Sequence, residues 1–459
     1  MDMKITPARL SGTLDAISSK SLVHRLLICS ALAGKETRIR LNGTCDDILS
    51  TIRCIEAMGG SIKNTDRQEM LVTPLQKASG KSVPSSVVLH CGESGATARF
   101  MMPLAAHLFD QFKLVGEGKL PMRPFAPLCE ALESAGCTLD GDRPPISGSG
   151  RVTSGDFKIA GNISSQFISG LLFLLPLLSE DSRVSIMTPL ESEGYVNMTI
   201  EVISMFGIAI EDCEPCPGGI RGFRVSGNRR FDSPGIATTE GDWSNSAFFL
   251  CMGALGDVAA GITASSTAAG SAGNGTASAA GDGGDTISLR GLSTSSEQGD
   301  KEVVEVLKRF GANVRADTNS NIKAGAGTLR GTDIDAAQIP DLIPALAVVA
   351  AVSEGETRIF NAQRLRLKES DRIHSTYNML SSLGADVKTT DDGLIIYGKE
   401  KLSGGVVDGA RDHRIVMAAA TASCVCENTV VIKGYEAVNK SYTSFFGDFR
   451  SLGGIADVI

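Results

Sequence analysis

The chain repeats one unit six times, and a repeat of this kind constrains the fold more than any bulk property. One recurring element is an amphipathic run that ends on glycine and leads into a short tail, as in ILSTIRCIEAMGGSIKN, KEVVEVLKRFGANVRA and IHSTYNMLSSLGADVKT. The marker glycines are Gly59, Gly136, Gly207, Gly311, Gly384 and Gly453, spaced by 77, 71, 104, 73 and 69 residues. Glycine ends helices readily because it takes up positive φ without steric cost. The tails GSIKN, CTLD, IAIE and ADVKT alternate apolar and polar residues, as half-buried strands do. Only the fourth spacing is out of line. Residues 257–285 there are a low-complexity Ala/Gly/Ser/Thr stretch of 29 residues, without which the spacing is 75. Lacking the large apolar side chains that offset ordering, it is expected to be a flexible surface insertion.

A second element alternates with the first. It is a polar loop feeding a nearly all-apolar run, such as NISSQFISGLLFLLPLL, EGDWSNSAFFLCMGALG or IPDLIPALAVVAAVSEG. A helix that is apolar almost all round is buried. Each unit of about 70 residues therefore holds one buried helix, one amphipathic helix and several strands. Six such units predict an α/β protein with buried helices at its centre, and the insertion between units three and four hints at two halves.

Charge narrows the possible partners. The net charge of −8 and pI near 5.3 argue against nucleic acid. Any anion site must therefore rest on locally placed cations. The longest apolar stretch is too short to span a bilayer, and MDMKITPARL lacks the apolar core of a signal peptide. Eleven irregularly spaced cysteines read as reduced thiols. The lone CEPC at Cys213–Cys216 is expected to be a turn with two free thiols. These features suggest a cytoplasmic, soluble protein.

The buried helices begin with Lys20/Ser21/Arg25, Gly95/Arg99, Ser164/Ser165/Gln166, Asp242/Ser244, Asp341 and Asp412/His413/Arg414. A helix N-terminus already presents free N–H groups and a positive dipole. Hydroxyls and acids cap it, so Ser164, Ser165 and Asp242 each fit plain N-caps. Cations at that end are unfavourable unless an anion joins them, whereupon dipole, N–H groups and guanidinium act together. Lys20 and Arg25, taken singly, fit solvated surface charges, and RLRLKESDR fits a solvated face. The recurrence in one structural slot instead points to a small, highly anionic substrate, both phosphorylated and carboxylated. No GxxxxGK[ST] loop, GxGxxG fingerprint, HExxH or GxSxG motif is present.

The ordered series SSKSLVHR, ESGATARF, LPMRP, GNISSQF, SEGYV, EGDWSNSAFF, IPDLIP, RLKESDR, DHR and VNKSY resembles the 5-enolpyruvylshikimate-3-phosphate synthase family over nearly the whole chain except the insertion. The resemblance implies an α/β fold of two domains, an inside-out α/β barrel of six βαβαββ repeats, three per domain. The expected domains are 19–238 and 1–18 with 239–459. It implies transfer of the enolpyruvyl group of phosphoenolpyruvate to the 5-hydroxyl of shikimate 3-phosphate, with no metal and no organic cofactor. The expected partners are these two small molecules, with no nucleic acid, no membrane and a monomeric state.

Carried over by position, shikimate 3-phosphate is assigned to Lys20, Ser21, Arg25, Ser164, Ser165, Gln166, Ser192, Tyr195, Asp341 and Lys368. Phosphoenolpyruvate is assigned to Lys20, Gly95, Arg123, Gln166, Arg372, Arg414 and Lys440. The catalytic assignments are Asp341 as proton acceptor, Glu369 as proton donor and Lys20. Arg364 carries no assignment, and Ala96 stands where some relatives have threonine. Two alternatives stay open. One is UDP-N-acetylglucosamine enolpyruvyl transferase, whose mobile-loop cysteine has no counterpart in GKLPMRPFAP; Cys129 comes later. The other is a non-catalytic, repeat-built binding protein.

Overall fold

The computed structural model describes residues 1–66, 68–75, 85–256, 286–318 and 321–459. The low-complexity stretch 257–285 lies outside them. Twelve described helices alternate in kind along the chain. The first of each pair is α1 (Lys20–Leu32), α3 (Gly95–Leu108), α5 (Ser165–Leu174), α7 (Trp243–Ala254), α9 (Ile343–Ala350) and α11 (His413–Ser423). The second is α2 (Asp46–Ala57), α4 (Ala126–Ser134), α6 (Glu193–Met205), α8 (Val303–Phe310), α10 (Arg372–Ser382) and α12 (Phe445–Ser451). Every residue of α7, α9 and α11 is buried, as an all-apolar surface requires. In α8 only Val303, Val306, Leu307 and Phe310 are buried, one stripe at helical spacing. Each amphipathic helix ends at or just before its marker glycine, and all six glycines have φ between 83° and 102°. The left-handed residue turns the chain out of the helix and into the next strand.

The strands form six four-stranded sheets with one shared topology: a parallel pair, then two antiparallel neighbours. Ser86–His90, for example, pairs in parallel with Gln111–Val115. Ile146–Ser149 and then Thr138–Leu139 follow antiparallel. The two helices of a repeat connect its first three strands, giving βαβαββ six times.

The chain divides into two compact units. The inserted unit is Ser18–Glu240 with Glu297–Gly299; the terminal unit is Met1–Ile17, Gly241–Ser296 and Asp300–Ile459. Each has its own apolar core. In the inserted unit this core gathers α1, α3 and α5 inside three sheets, and α3 and α5 pack most intimately. The first strand of its first repeat is supplied late: Ile236–Thr238 pairs in parallel with Thr37–Arg40, with Ala237 opposite Ile39. The terminal unit closes the same way. Gly12–Asp15 lies parallel to Thr286–Arg290, and Asp2–Thr6 lies between Val430–Lys433 and Ile455–Val458. This is the inside-out α/β arrangement, with helices as the core and sheets as the wall.

Candidate active site

In the terminal unit, the starts of α9, α10 and α11 bring the predicted charges together. Arg372 is the first residue of α10 and is only 1% exposed. Its Nε donates to Asp412 Oδ2 at 2.8 Å and its Nη1 to Asp341 Oδ1 at 2.5 Å. Its Nη2 donates to Glu369 Oε2 at 2.7 Å and to Asp412 Oδ1 at 3.2 Å. One planar fork thus holds three carboxylates through four directed bonds, one more than the three donors of a lysine ammonium allow singly.

Asp341 gathers two more cations. It stands on the 3₁₀ turn Pro340–Leu342 that leads into α9. Lys368 Nζ donates to its Oδ1 at 3.2 Å. Arg414 Nε lies 3.5 Å from the same oxygen, while its Nη1 donates to the Asp341 carbonyl at 2.9 Å. Arg414 Nη2 reaches Ser244 Oγ at 2.6 Å, tying in the start of α7. Lys440 Nζ lies 3.9 Å from Glu369 Oε1. Burial alone would raise the Asp341 pKa, but Arg414, Lys368 and Arg372 outweigh it and hold the carboxyl well below the usual range. Burial pushes Lys368 down to about 8, against the pull of Asp341. Burial also opposes the charge on Arg372, yet Asp412, Glu369 and Asp341 raise its pKa above the ordinary arginine value.

Asp412 organises this cluster. It caps α11, accepting from Arg414 N at 3.0 Å, and it also accepts from Ser370 Oγ at 3.0 Å. One fully buried carboxylate thereby sets both Arg372 and Arg414. The sequence pattern marked Asp412 as a helix-start residue but assigned it no role.

In the inserted unit, Lys20 opens α1 and donates to Asp47 Oδ2 of α2 at 2.8 Å. Arg25 is buried rather than solvated. Its Nε donates to Thr199 Oγ1 at 2.7 Å, Nη1 to the Ser21 carbonyl at 2.7 Å, and Nη2 to the Tyr195 carbonyl at 2.8 Å and Ser169 Oγ at 3.4 Å. It thus joins α1, α5 and α6, the helices whose first turns carry Ser21, Ser165/Gln166 and Tyr195. All four acceptors are neutral, and burial lowers its pKa to about 10. Four of its five N–H groups are accounted for by these bonds.

Ser164 caps α5, its Oγ accepting from Gln166 N at 3.3 Å, and Ser165 follows as the first helical residue. Gln166 Oε1 accepts from Arg99 Nη1 at 2.7 Å, a partner the sequence pattern noted at a helix start but did not assign. The Arg99 guanidinium sits over Phe125 and Phe167. Ser192, just before α6, has φ 55°, a left-handed conformation that a non-glycine residue adopts at a cost and that favours functional positions. Gly95 opens α3; a Cβ there would lie 2.6 Å from Arg123 Nη1, so only glycine lets that guanidinium rest on the helix start.

The predicted residues thus form two sets, one per unit. Asp341, Lys368, Glu369, Arg372, Arg414 and Lys440 make one; Lys20, Ser21, Arg25, Gly95, Arg123, Ser164, Ser165, Gln166, Ser192 and Tyr195 make the other. Among the described residues no cluster of three or more His, Cys, Asp or Glu side chains could hold a metal ion. No described helix is long and apolar enough to cross a membrane. All eleven cysteines are free thiols, and burial pushes that of Cys129 up to about 12. A thiol so placed is a poor nucleophile.

Several known proteins are similar to this chain. The family model described as EPSP synthase (3-phosphoshikimate 1-carboxyvinyltransferase) matches residues 5–270 and 268–449. A 3-phosphoshikimate 1-carboxyvinyltransferase of Clostridium perfringens is 38% identical over 456 residues, covering 98% of each chain. That of Clostridium acetobutylicum is 39% identical over 458 residues, covering 98% of this chain and 97% of its own. The EPSP synthase structure from Acinetobacter baumannii superposes with a TM-score of 0.76 at 23% identity, over the whole of both chains. The enolpyruvyl transferase NikO from Streptomyces tendae gives 0.75 at 16% identity, over 99% of this chain and 98% of its own.

Proposed function

The chain belongs to the EPSP synthase (3-phosphoshikimate 1-carboxyvinyltransferase) family, and we propose the roles that its own residues take in that reaction. The enzyme transfers the enolpyruvyl group of phosphoenolpyruvate to the 5-hydroxyl of shikimate 3-phosphate and releases phosphate. The observation that carries the assignment of roles is Asp341, ringed by Arg372, Lys368 and Arg414 beside Glu369.

Phosphoenolpyruvate brings a carboxylate and a phosphate. In the terminal unit, Lys368, Arg372, Arg414 and Lys440 pair with the carboxylates of Asp341, Glu369 and Asp412. Arg372, Arg414 and Lys440 hold the donor's anionic groups. Each cation that turns to the substrate releases its carboxylate. Asp341 then recovers basicity and takes the proton of the 5-hydroxyl. Glu369, freed from Arg372 and Lys440, takes up a proton from solvent and, as the neutral acid, delivers it to the methylene carbon. The hydroxyl oxygen bonds to the adjacent carbon, giving a tetrahedral intermediate. In the second half Glu369 takes a proton back from the new methyl group, the C–O bond to phosphate breaks as Asp341 passes its proton to the departing phosphate, and the arginine forks stabilise the departing charge.

In the inserted unit, Lys20, Ser21 and Arg25 hold shikimate 3-phosphate, with its phosphate on Ser164, Ser165 and Ser192. Tyr195 and Gln166 complete that set, while Asp341 and Lys368 hold the ring hydroxyls. Gly95 and Arg123 add donor contacts, and Lys20 and Gln166 serve both substrates. The test is phosphate release with phosphoenolpyruvate and either shikimate 3-phosphate or UDP-N-acetylglucosamine. Release is expected only with the first acceptor. Release with the second alone would overturn the reading.

A further inference from the structure

A buried polar line joins α1, α2 and α3, and the chemistry above does not use it. His24 in α1 places Nδ1 2.7 Å from Thr51 Oγ1 in α2. Thr51 Oγ1 lies 2.7 Å from Thr97 Oγ1 in α3. Thr97 Oγ1 in turn lies 2.8 Å from Ser94 Oγ and 3.3 Å from the Asp47 carbonyl. All five residues are buried.

The direction of the line follows from its far end. His24 Nε2 is buried without a hydrogen-bond partner. Burial pushes the ring pKa down to about 3, so the imidazole is neutral and carries a single N–H. An orphaned buried donor is rarer and costlier than an orphaned acceptor lone pair. The proton therefore sits on Nδ1. From there every hydroxyl points one way: Nδ1–H donates to Thr51, Thr51 to Thr97, and Thr97 to Ser94 Oγ or the Asp47 carbonyl. The opposite order would bury an unpaired Nε2–H.

The line ends between two groups of the candidate site. Asp47 holds Lys20 at 2.8 Å. Ser94 caps α3, its Oγ accepting from Thr97 N at 3.2 Å, and the next residue is Gly95, against which Arg123 rests. We propose that Thr97 is a positioning residue. Its hydroxyl locks the first turn of α3 to the start of α2, so that Gly95 and Arg123 are set for phosphoenolpyruvate in register with the Lys20–Asp47 pair. This rests on the substrate reading above.

Thr97→Val keeps the side-chain shape and removes only the hydroxyl. It should raise KM for phosphoenolpyruvate about fivefold, the scale of one net hydrogen bond. The kcat and the KM for shikimate 3-phosphate should both stay within about twofold, because neither the proton-transfer groups nor Lys20 is touched. Thr97→Ser restores the hydroxyl and should restore KM; general loosening of the helix would not separate the two constants or be rescued in this way. Thr97→Ala takes the place of Thr97→Val should the latter not fold. Without any substrate, ¹⁵N spectra of the wild-type ring should show a protonated Nδ1 and an unprotonated Nε2 on His24. Active wild-type enzyme with an unmoved KM in the hydroxyl-free variant, or a His24 ring protonated on Nε2, overturns the proposal. Wild-type enzyme that releases no phosphate from the two substrates overturns the functional reading instead.

Discussion

Arg372 is the residue that ties the terminal set together, because three carboxylates share its one guanidinium. Two of these, Asp341 and Glu369, carry the proposed proton transfers. Asp341→Asn and Glu369→Gln keep size and shape, so both should fold normally by circular dichroism. Each should lose roughly 10²-fold or more in turnover, the usual scale for a positioned acid or base. Near wild-type phosphate release in either variant would remove that residue from the mechanism. Lys368 sets a pH limit. Its pKa is depressed to about 8, chiefly by burial. The ammonium is therefore present below that pH and lost above it. Since kcat/KM reports the free enzyme, kcat/KM for shikimate 3-phosphate should fall above about pH 8. Lys368→Arg keeps its charge and should move the fall to higher pH; a profile identical to wild type would exclude Lys368 as its source. Much of this site is legible in the sequence, because the same slot, the start of a buried helix, carries anion-suited groups repeatedly. The pairings are not. Asp47 lies 27 residues from Lys20, and Asp412 lies 40 from Arg372, with no local pattern joining either pair. The acid beside His413 and Arg414 in RDHR is the one available hint of Asp412.

Among the elements, buried helices that cross closely need small residues at the crossing. Gly170 in α5 is such a point: a Cβ there would lie 2.3 Å from the Arg99 carbonyl oxygen in α3. That neighbour is backbone and cannot swing away. Gly170→Ala should therefore destabilise the protein by about 1–3 kcal/mol, the usual cost of overpacking a core. Gly34→Ala is the control, because nothing lies within 4 Å of its Cβ, and it should stay within about 0.5 kcal/mol. Urea unfolding of the two variants checks both values; equal midpoints would mean that α3 and α5 separate without cost. The helices and the strand tails behind the marker glycines are readable from periodicity alone. The strand that closes each repeat set is harder to see. Ile236–Thr238 is three residues long and pairs with a strand about 200 positions earlier, a contact that no window of sequence contains.

At the scale of the whole molecule, the two long-range strand pairings decide what can fold alone. Every strand of the three sheets of the inserted unit lies within residues 18–240, and its core runs from Val23 to Ala237. Only Glu297–Gly299 comes from elsewhere, with Gln298 Nε2 donating to Glu240 Oε1 at 2.7 Å. A fragment of residues 18–240 should therefore unfold cooperatively in urea and give a dispersed amide spectrum. It should show no turnover, since Asp341, Glu369 and Arg372 are missing. The terminal unit is interrupted by that insertion, yet its two chain ends are already joined by hydrogen bonds. Asp2 N donates to Ile459 O at 3.3 Å, and Ile459 N to Asp2 O at 2.9 Å. A permuted chain running from 241 to 459, through a short glycine link, and on from 1 to 17 keeps all three of its sheets, including the pairing of Gly12–Asp15 with Thr286–Arg290. It should fold as the fragment does, because strand closure and core burial are both complete within it. A fragment or permutant without a cooperative transition would mean that neither unit's core suffices, and that folding of one unit depends on the other.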